Sequence, residues 1–299
     1  LAHWGGCLYL SASRILSRPA PSVMTLPINL NRWLWLGIAL LSLIASGVGV
    51  LHPSVYDGLI PATIRPGVFT QDLVAIVLSV VLVLLAGSNR SNLVRKRIVA
   101  HGILGFLFYA YGIYAMERMY NVLYPLYLIL FGGSLFVLIY SMATGPAMPS
   151  PQLMVPRWMR LLGAGYGLLI AVVFNVVWFS ELAPLLQSGE RIDYFYSIYI
   201  IDISFVMPAF AVAAVLTLRR HPVGLMGLPS LFVLGAGILS PLALAESIKP
   251  TQYGLARDAG GLVLFGLLTV VSVALTGFWL TTIPQQRPDS GDVLERAQD

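Results

Sequence analysis

Two aspartates and one histidine stand inside long apolar runs of this chain: Asp72, Asp202 and His101. An aspartate at the centre of a lipid-crossing helix costs roughly 2.5–3.5 kcal/mol, so it is a functional candidate by default. A carboxylate so placed can bind a cation or exchange a proton, and neutral hydrogen-bonding neighbours can complete the site. The neighbours expected around an outward-facing cavity are Tyr109, Tyr111 and Tyr114, then Asn121 and Tyr124, then Asn175. Tyr111, Tyr114 and Arg118 fall at i, i+3 and i+7, one helical face, which places Arg118 to partner an aspartate. The expected solute- or ion-binding set is therefore Asp72, Asp202, Tyr111, Tyr114, Arg118, Asn121, Tyr124 and Asn175.

Each of these residues also has a plainer reading. Asp72 lies near a helix start, where a carboxylate caps backbone amides and suits the dipole. Tyrosines near span ends form interfacial belts, and an asparagine such as Asn175 can bond a neighbouring helix. His101 shares a stripe of mainly small residues with Gly105, Phe108, Gly112 and Ala115, which suits close helix packing rather than metal or haem binding. Pro208 and Pro241 interrupt late runs and are expected to kink or break them. No phosphate-binding glycine-lysine loop, helical zinc motif or glycine-flanked serine is present. With Cys7 as the single cysteine, a disulfide framework, a dithiol pair and a cysteine-ligated zinc site are excluded. No catalytic set, metal or cofactor is expected, and an enzyme is the least favoured reading.

These side chains must be carried by an unusual body. Of 299 residues, 58% are hydrophobic and only 10% charged, with a mean hydropathy of +0.82. Soluble domains carry about 25% charged residues, so the composition specifies a membrane protein. Eight apolar runs cover 33–51, 69–88, 98–116, 122–142, 159–179, 195–218, 223–245 and 260–280. Each approaches or exceeds the roughly 20 residues a spanning helix needs, and helices satisfy their own backbone in lipid. The expectation is an all-α polytopic bundle of about eight transmembrane helices. The second run is the weakest member, because Asp72 shortens it. The net charge of +5 is no argument for nucleic acid, since the basic residues sit in short clusters between the runs.

Thirteen of the 18 basic residues fall on the side shared by the N-terminus, the even-numbered loops and the C-tail. By the positive-inside rule that side is cytoplasmic, giving a multi-pass protein of the cell (inner) membrane with both termini inside. Residues 1–23, without a methionine or long apolar run, read as upstream translation or a disordered leader, with an organelle transit peptide as the rival. Residues 24–281 read as one transmembrane domain, and 282–299 as a disordered cytoplasmic tail. Asp72 precedes Arg90 by 18 residues, as Asp202 precedes Arg220, a layout that fits a four-plus-four parallel repeat.

Three stretches are Gln71-Asp72-Leu73-Val74, Tyr124-Pro125-Leu126-Tyr127, and Ile201-Asp202 followed by Pro208 and Arg219-Arg220. Together they resemble a family of uncharacterised multi-pass prokaryotic membrane proteins. Where such proteins often have asparagine before the proline of the fourth span, this chain has Tyr124, with Asn121 a turn earlier. The resemblance implies an eight-span-like helical fold and brings no assigned activity. The residues themselves favour a transporter or permease-like protein for a small solute or cation. The alternative is a non-enzymatic sensory or assembly module that binds a partner protein or a lipid in the bilayer.

Overall fold

The computed structural model describes residues 28–88, 93–144 and 155–283, and among the described residues there is no strand. The leader, Arg90 and all but the first two residues of the tail lie outside them. The helices are α1 (Ile28–Leu51), α2 (Arg65–Gly87), α3 (Leu93–Met116), α4 (Tyr124–Ala143), α5 (Arg157–Ser188), α6 (Tyr196–Ile201), α7 (Met207–Leu218), α8 (Pro222–Ile248) and α9 (Ala259–Thr282). A single π-helical turn, Asp202–Val206, joins α6 and α7 into one span. The described residues thus hold eight helices long and apolar enough to cross a membrane, and the second run is one of them at full length.

Local chemistry explains the boundaries. Pro66, Pro125 and Pro222 occupy first-turn positions, where the missing N–H costs nothing. Gly189 closes α5 in the left-handed conformation at φ +68°. At 32 residues α5 overruns its expected span, and its last turns stand out on the face away from the basic clusters.

Burial is distributed very unevenly. The central window of α3 is 89% buried and that of α8 is 56% buried, against at most 39% for the other six spans. The enclosed helix α3 is also the least hydropathic of the eight, because lipid demands apolar side chains while a protein interior accepts paired polar ones. One apolar cluster joins α1, α2, α3 and α4, and a second joins α3, α5, α7, α8 and α9. Packing of α1 on α2 has a counterpart in α5 on α7, α3 on α4 in α8 on α9, and α2 on α3 in α7 on α8. Helices α3 and α8 meet between the halves. The correspondence is partial, since α1 also packs on α4 and α2 on α8 without comparable pairs in the other half.

Basic side chains hold the C-terminal ends of several helices. Arg32 Nε donates to the Ala86 carbonyl at 2.7 Å and Lys96 Nζ to the Ser88 carbonyl at 2.7 Å. Arg95 and Arg97 donate to the carbonyls of Ile283 and Ser141. These carbonyls lie at or near the C-terminal ends of α2, α9 and α4, where a cation also offsets the helix dipole. Every described carboxylate lies in the opposite half of the bundle, from Asp57 to Asp258.

Glycine sets the spacing at the centre. A Cβ on Gly102 would stand 2.4 Å from the Val233 Cβ and 2.5 Å from the Ser230 carbonyl oxygen of α8. A Cβ on Gly105 would meet the Leu234 side chain at 2.7 Å. Gly102→Ala is therefore expected to lower thermal stability in detergent by about 1–3 kcal/mol, since a backbone carbonyl cannot yield. Gly37→Ala, with open space around it, is the control and should be neutral or slightly stabilising.

Candidate functional site

The two aspartates occupy sites of different kinds. Asp72 is the eighth residue of α2, two turns inside the helix, and is 1% exposed. Tyr56, from the short helical turn Pro53–Tyr56 after α1, donates its hydroxyl to Oδ2 at 2.7 Å. Tyr114 of α3 donates to Oδ1 at 3.1 Å. A Cβ at Gly49 of α1 would sit 2.0 Å from Oδ2, so that glycine leaves room for the carboxylate. Burial, then the neighbouring Tyr114 and Asp72, push the Tyr56 hydroxyl well above its ordinary pKa, so it remains a donor. The expectation of a helix cap is thereby corrected. Asp72 begins too deep in α2 to reach the free amides and is held by two tyrosines instead.

Asp202 opens the π turn and is 4% exposed. Pro208 has no amide to give to residue 204, and its ring crowds that carbonyl. The chain absorbs the mismatch just upstream, where the Met207 amide reaches back five residues to the Asp202 carbonyl. The Asp202 carboxylate accepts the Trp178 indole N–H of α5 at 2.8 Å, and the Tyr109 hydroxyl of α3 lies against it. Trp178 in turn packs edge-on to Tyr199, 5.5 Å between centroids.

A cavity of about 550 Å³ reaches Asp202. It begins among Ile60, Met119 and Phe195, in loops on the face away from the basic clusters, and descends to Tyr166, Phe210 and Ser272. Walls from α2, α3, α5, α8 and α9 make it overwhelmingly apolar and aromatic. Its titratable carboxylates are Asp202, Glu117 and Glu181, and no lysine, arginine or histidine lines it. Glu117 Oε1 accepts the Ser197 amide at 3.1 Å and the Ser197 hydroxyl, while Glu117 Oε2 is buried with no hydrogen-bond partner. Glu181 accepts the Tyr199 hydroxyl at 3.1 Å.

The expected site is thus divided. Tyr114 lines the cavity with its ring while its hydroxyl serves Asp72, which lies outside the cavity. Tyr111 belongs to the closed side, bonded to the Ser42 and Ser46 hydroxyls at 2.9 and 2.8 Å. Arg118 meets neither aspartate. It is exposed in a loop with φ +55°, its guanidinium carbon 5.8 Å from the centre of the Tyr196 ring. The ion pairs among the described residues are Arg65–Asp57 and Lys249–Glu246. Asn121 braces the loop before α4, donating to the Val55 carbonyl at 3.3 Å and accepting the Leu123 amide at 2.9 Å. Tyr124 donates to the Ala115 carbonyl at 3.0 Å, and Asn175 spends its amide on the Ala171 carbonyl of its own helix at 2.7 Å. His101 bonds the Ser141 hydroxyl at 2.9 Å.

Three cavity residues escaped the sequence reading: Trp178, Glu117 and Glu181. Trp178 and Glu181 are three residues apart and share one face of α5, a spacing visible in the sequence. Compared with known proteins, the chain matches no family model, no curated protein and no solved structure. The resemblance carried by the three short motifs finds no counterpart there and transfers no activity.

The difference between the two aspartates is measurable as stability. Asp72→Ala strands two enclosed hydroxyls without an acceptor, and an unsatisfied buried group costs about 1–3 kcal/mol. Asp202→Ala frees donors that face an open cavity where water can replace the carboxylate. The expected result in detergent is a larger drop in melting temperature for Asp72→Ala than for Asp202→Ala, and the reverse order would contradict the assignment.

Proposed function

We propose that this integral membrane protein is a permease-like carrier of a small organic cation with an apolar body, and that Asp202 is its polar anchor. The observation that carries this reading is the cavity: apolar and aromatic walls, three carboxylates and no cationic side chain. Binding sites for small molecules are largely apolar with a few placed polar groups, and here those groups are of one charge sign. Trp178, Tyr199 and Tyr109 supply π faces and hydroxyls beside the carboxylate, an arrangement suited to organic ammonium or phosphonium groups. The basic face is taken as cytoplasmic, which puts both termini inside and opens the cavity to the exterior of a cell membrane. Lipid bilayer and solute are the partners of this reading.

A second reading, a module that holds a lipid without moving it, draws support from the outer half of α5. Val173 and Val177 line the cavity and are also 45% and 41% exposed, so this wall is thin towards the bilayer.

Two isosteric probes of opposite charge separate these cases. Protein in liposomes should bind tetraphenylphosphonium saturably and tetraphenylborate not at all. Asp202→Asn, which keeps shape and loses charge, should weaken cation binding about tenfold or more, or about 1.4 kcal/mol, with an unchanged melting temperature. Binding followed by flux supports the carrier, and binding without flux supports the holding module. Equal binding of both probes, or wild-type affinity in Asp202→Asn, would refute the role of Asp202.

A further inference from the structure

The basic face divides into two groups with different fates. Arg32, Arg95, Lys96 and Arg97 are spent on carbonyl oxygens at helix ends. Arg157 and Arg160 at the start of α5, and Arg219 and Arg220 at the end of α7, are not. Helices α5 and α7 pack side by side, so these four arginines share one corner of the bundle. The Arg160 guanidinium lies within electrostatic reach of both Arg157 and Arg220. Its Nε, like those of Arg95 and Arg97, is buried without an acceptor, but no described carbonyl takes up the rest of its guanidinium, and no described residue pairs with any of the four by a salt bridge. Arg220 is held in the tight turn to α8 at φ +58°, its amide bonded to the Thr217 carbonyl at 3.0 Å.

Gathering like charges without a counter-charge is unfavourable, and the described carboxylates all lie in the other half of the bundle. An anion from outside the described chain resolves the imbalance. The cluster stands at helix ends, beside Trp158, which is 60% exposed at the depth where tryptophan marks the membrane interface. The anions abundant at that depth are phospholipid headgroups, and a guanidinium grips phosphate oxygens in pairs.

We propose that Arg157, Arg160, Arg219 and Arg220 form a binding site for the phosphate of an anionic phospholipid on the basic face. The site is separate from the cavity and does not depend on what the cavity carries. Arg160, the one partly buried member, and Arg220, fixed by its turn, grip the phosphate, while the exposed Arg157 and Arg219 widen the field that attracts it.

The test is the thermal stability of the purified full chain in a neutral detergent with added short-chain phosphatidylglycerol, phosphatidylcholine or inorganic phosphate. Phosphatidylglycerol should raise the melting temperature by several degrees, and the other two should not. The double variant Arg160→Gln/Arg220→Gln should lose that shift, while Arg191→Gln on the opposite face keeps it. Should the double variant fail to fold, the exposed single variants Arg157→Gln and Arg219→Gln must each reduce the shift. An equal shift with phosphatidylcholine, a full shift with inorganic phosphate alone, or a retained shift in the arginine variants overturns the proposal. So does a shift seen only after deletion of 284–299, which would assign the cluster to the carboxylates of that segment.

Discussion

Everything in this bundle is arranged around the contact between α3 and α8. Within a bilayer the lipid tails are as apolar as any side chain, so helices associate through close packing and paired polar groups. Gly102 and Gly105 let the two helices approach until side chains of α8 fill the space a Cβ would take. Gly237 of α8 does the same for Phe106 of α3, where a Cβ would stand 2.7 Å from the ring. With α3 enclosed on every side, its polar side chains can be used without exposing them to lipid.

That enclosure gives α3 its second role. Tyr109, Tyr111 and Tyr114 project from one helix towards different neighbours. Tyr111 ties α3 to the serines of α1, Tyr114 completes the closed site of Asp72, and Tyr109 sets its hydroxyl against Asp202 at the cavity wall. The two carboxylates are therefore served by the same helix yet differ in kind. One is locked between two hydroxyls, which suits a fixed structural pairing. The other sits in a π turn forced by Pro208 and faces open volume, which suits exchange with a ligand.

Much of this was legible in sequence because it depends on composition and period. Eight runs of sufficient length, the excess of basic residues on one side, and the costly intramembrane Asp202 are all local or cumulative signals. What could not be read was pairing between helices. Arg118 shares a helical period with Tyr111 and Tyr114, but the helix ends at Met116 and the chain turns outward, so the period no longer applies. Asp72 looked like a cap because its apolar run begins at Phe69, whereas the helix starts at Arg65. Asn121 and Asn175 are polar in the right half of the bundle, yet local backbone groups claim them first. Trp178 joins Asp202 from 24 residues away, a distance no periodic pattern encodes.

The central claim is that Asp202 stands on an open cavity while Asp72 is sealed. Cysteine accessibility in a Cys7→Ser background measures it directly. Ile238→Cys replaces a cavity-lining residue, and Ser79→Cys replaces a fully buried serine bonded to Ser42 on the closed side. A small cationic methanethiosulfonate applied from the face opposite the basic clusters should modify Cys at 238 quickly and leave Cys at 79 unmodified, with tetraphenylphosphonium slowing the first reaction. No reaction at 238, or equal reaction at both positions, would contradict the account.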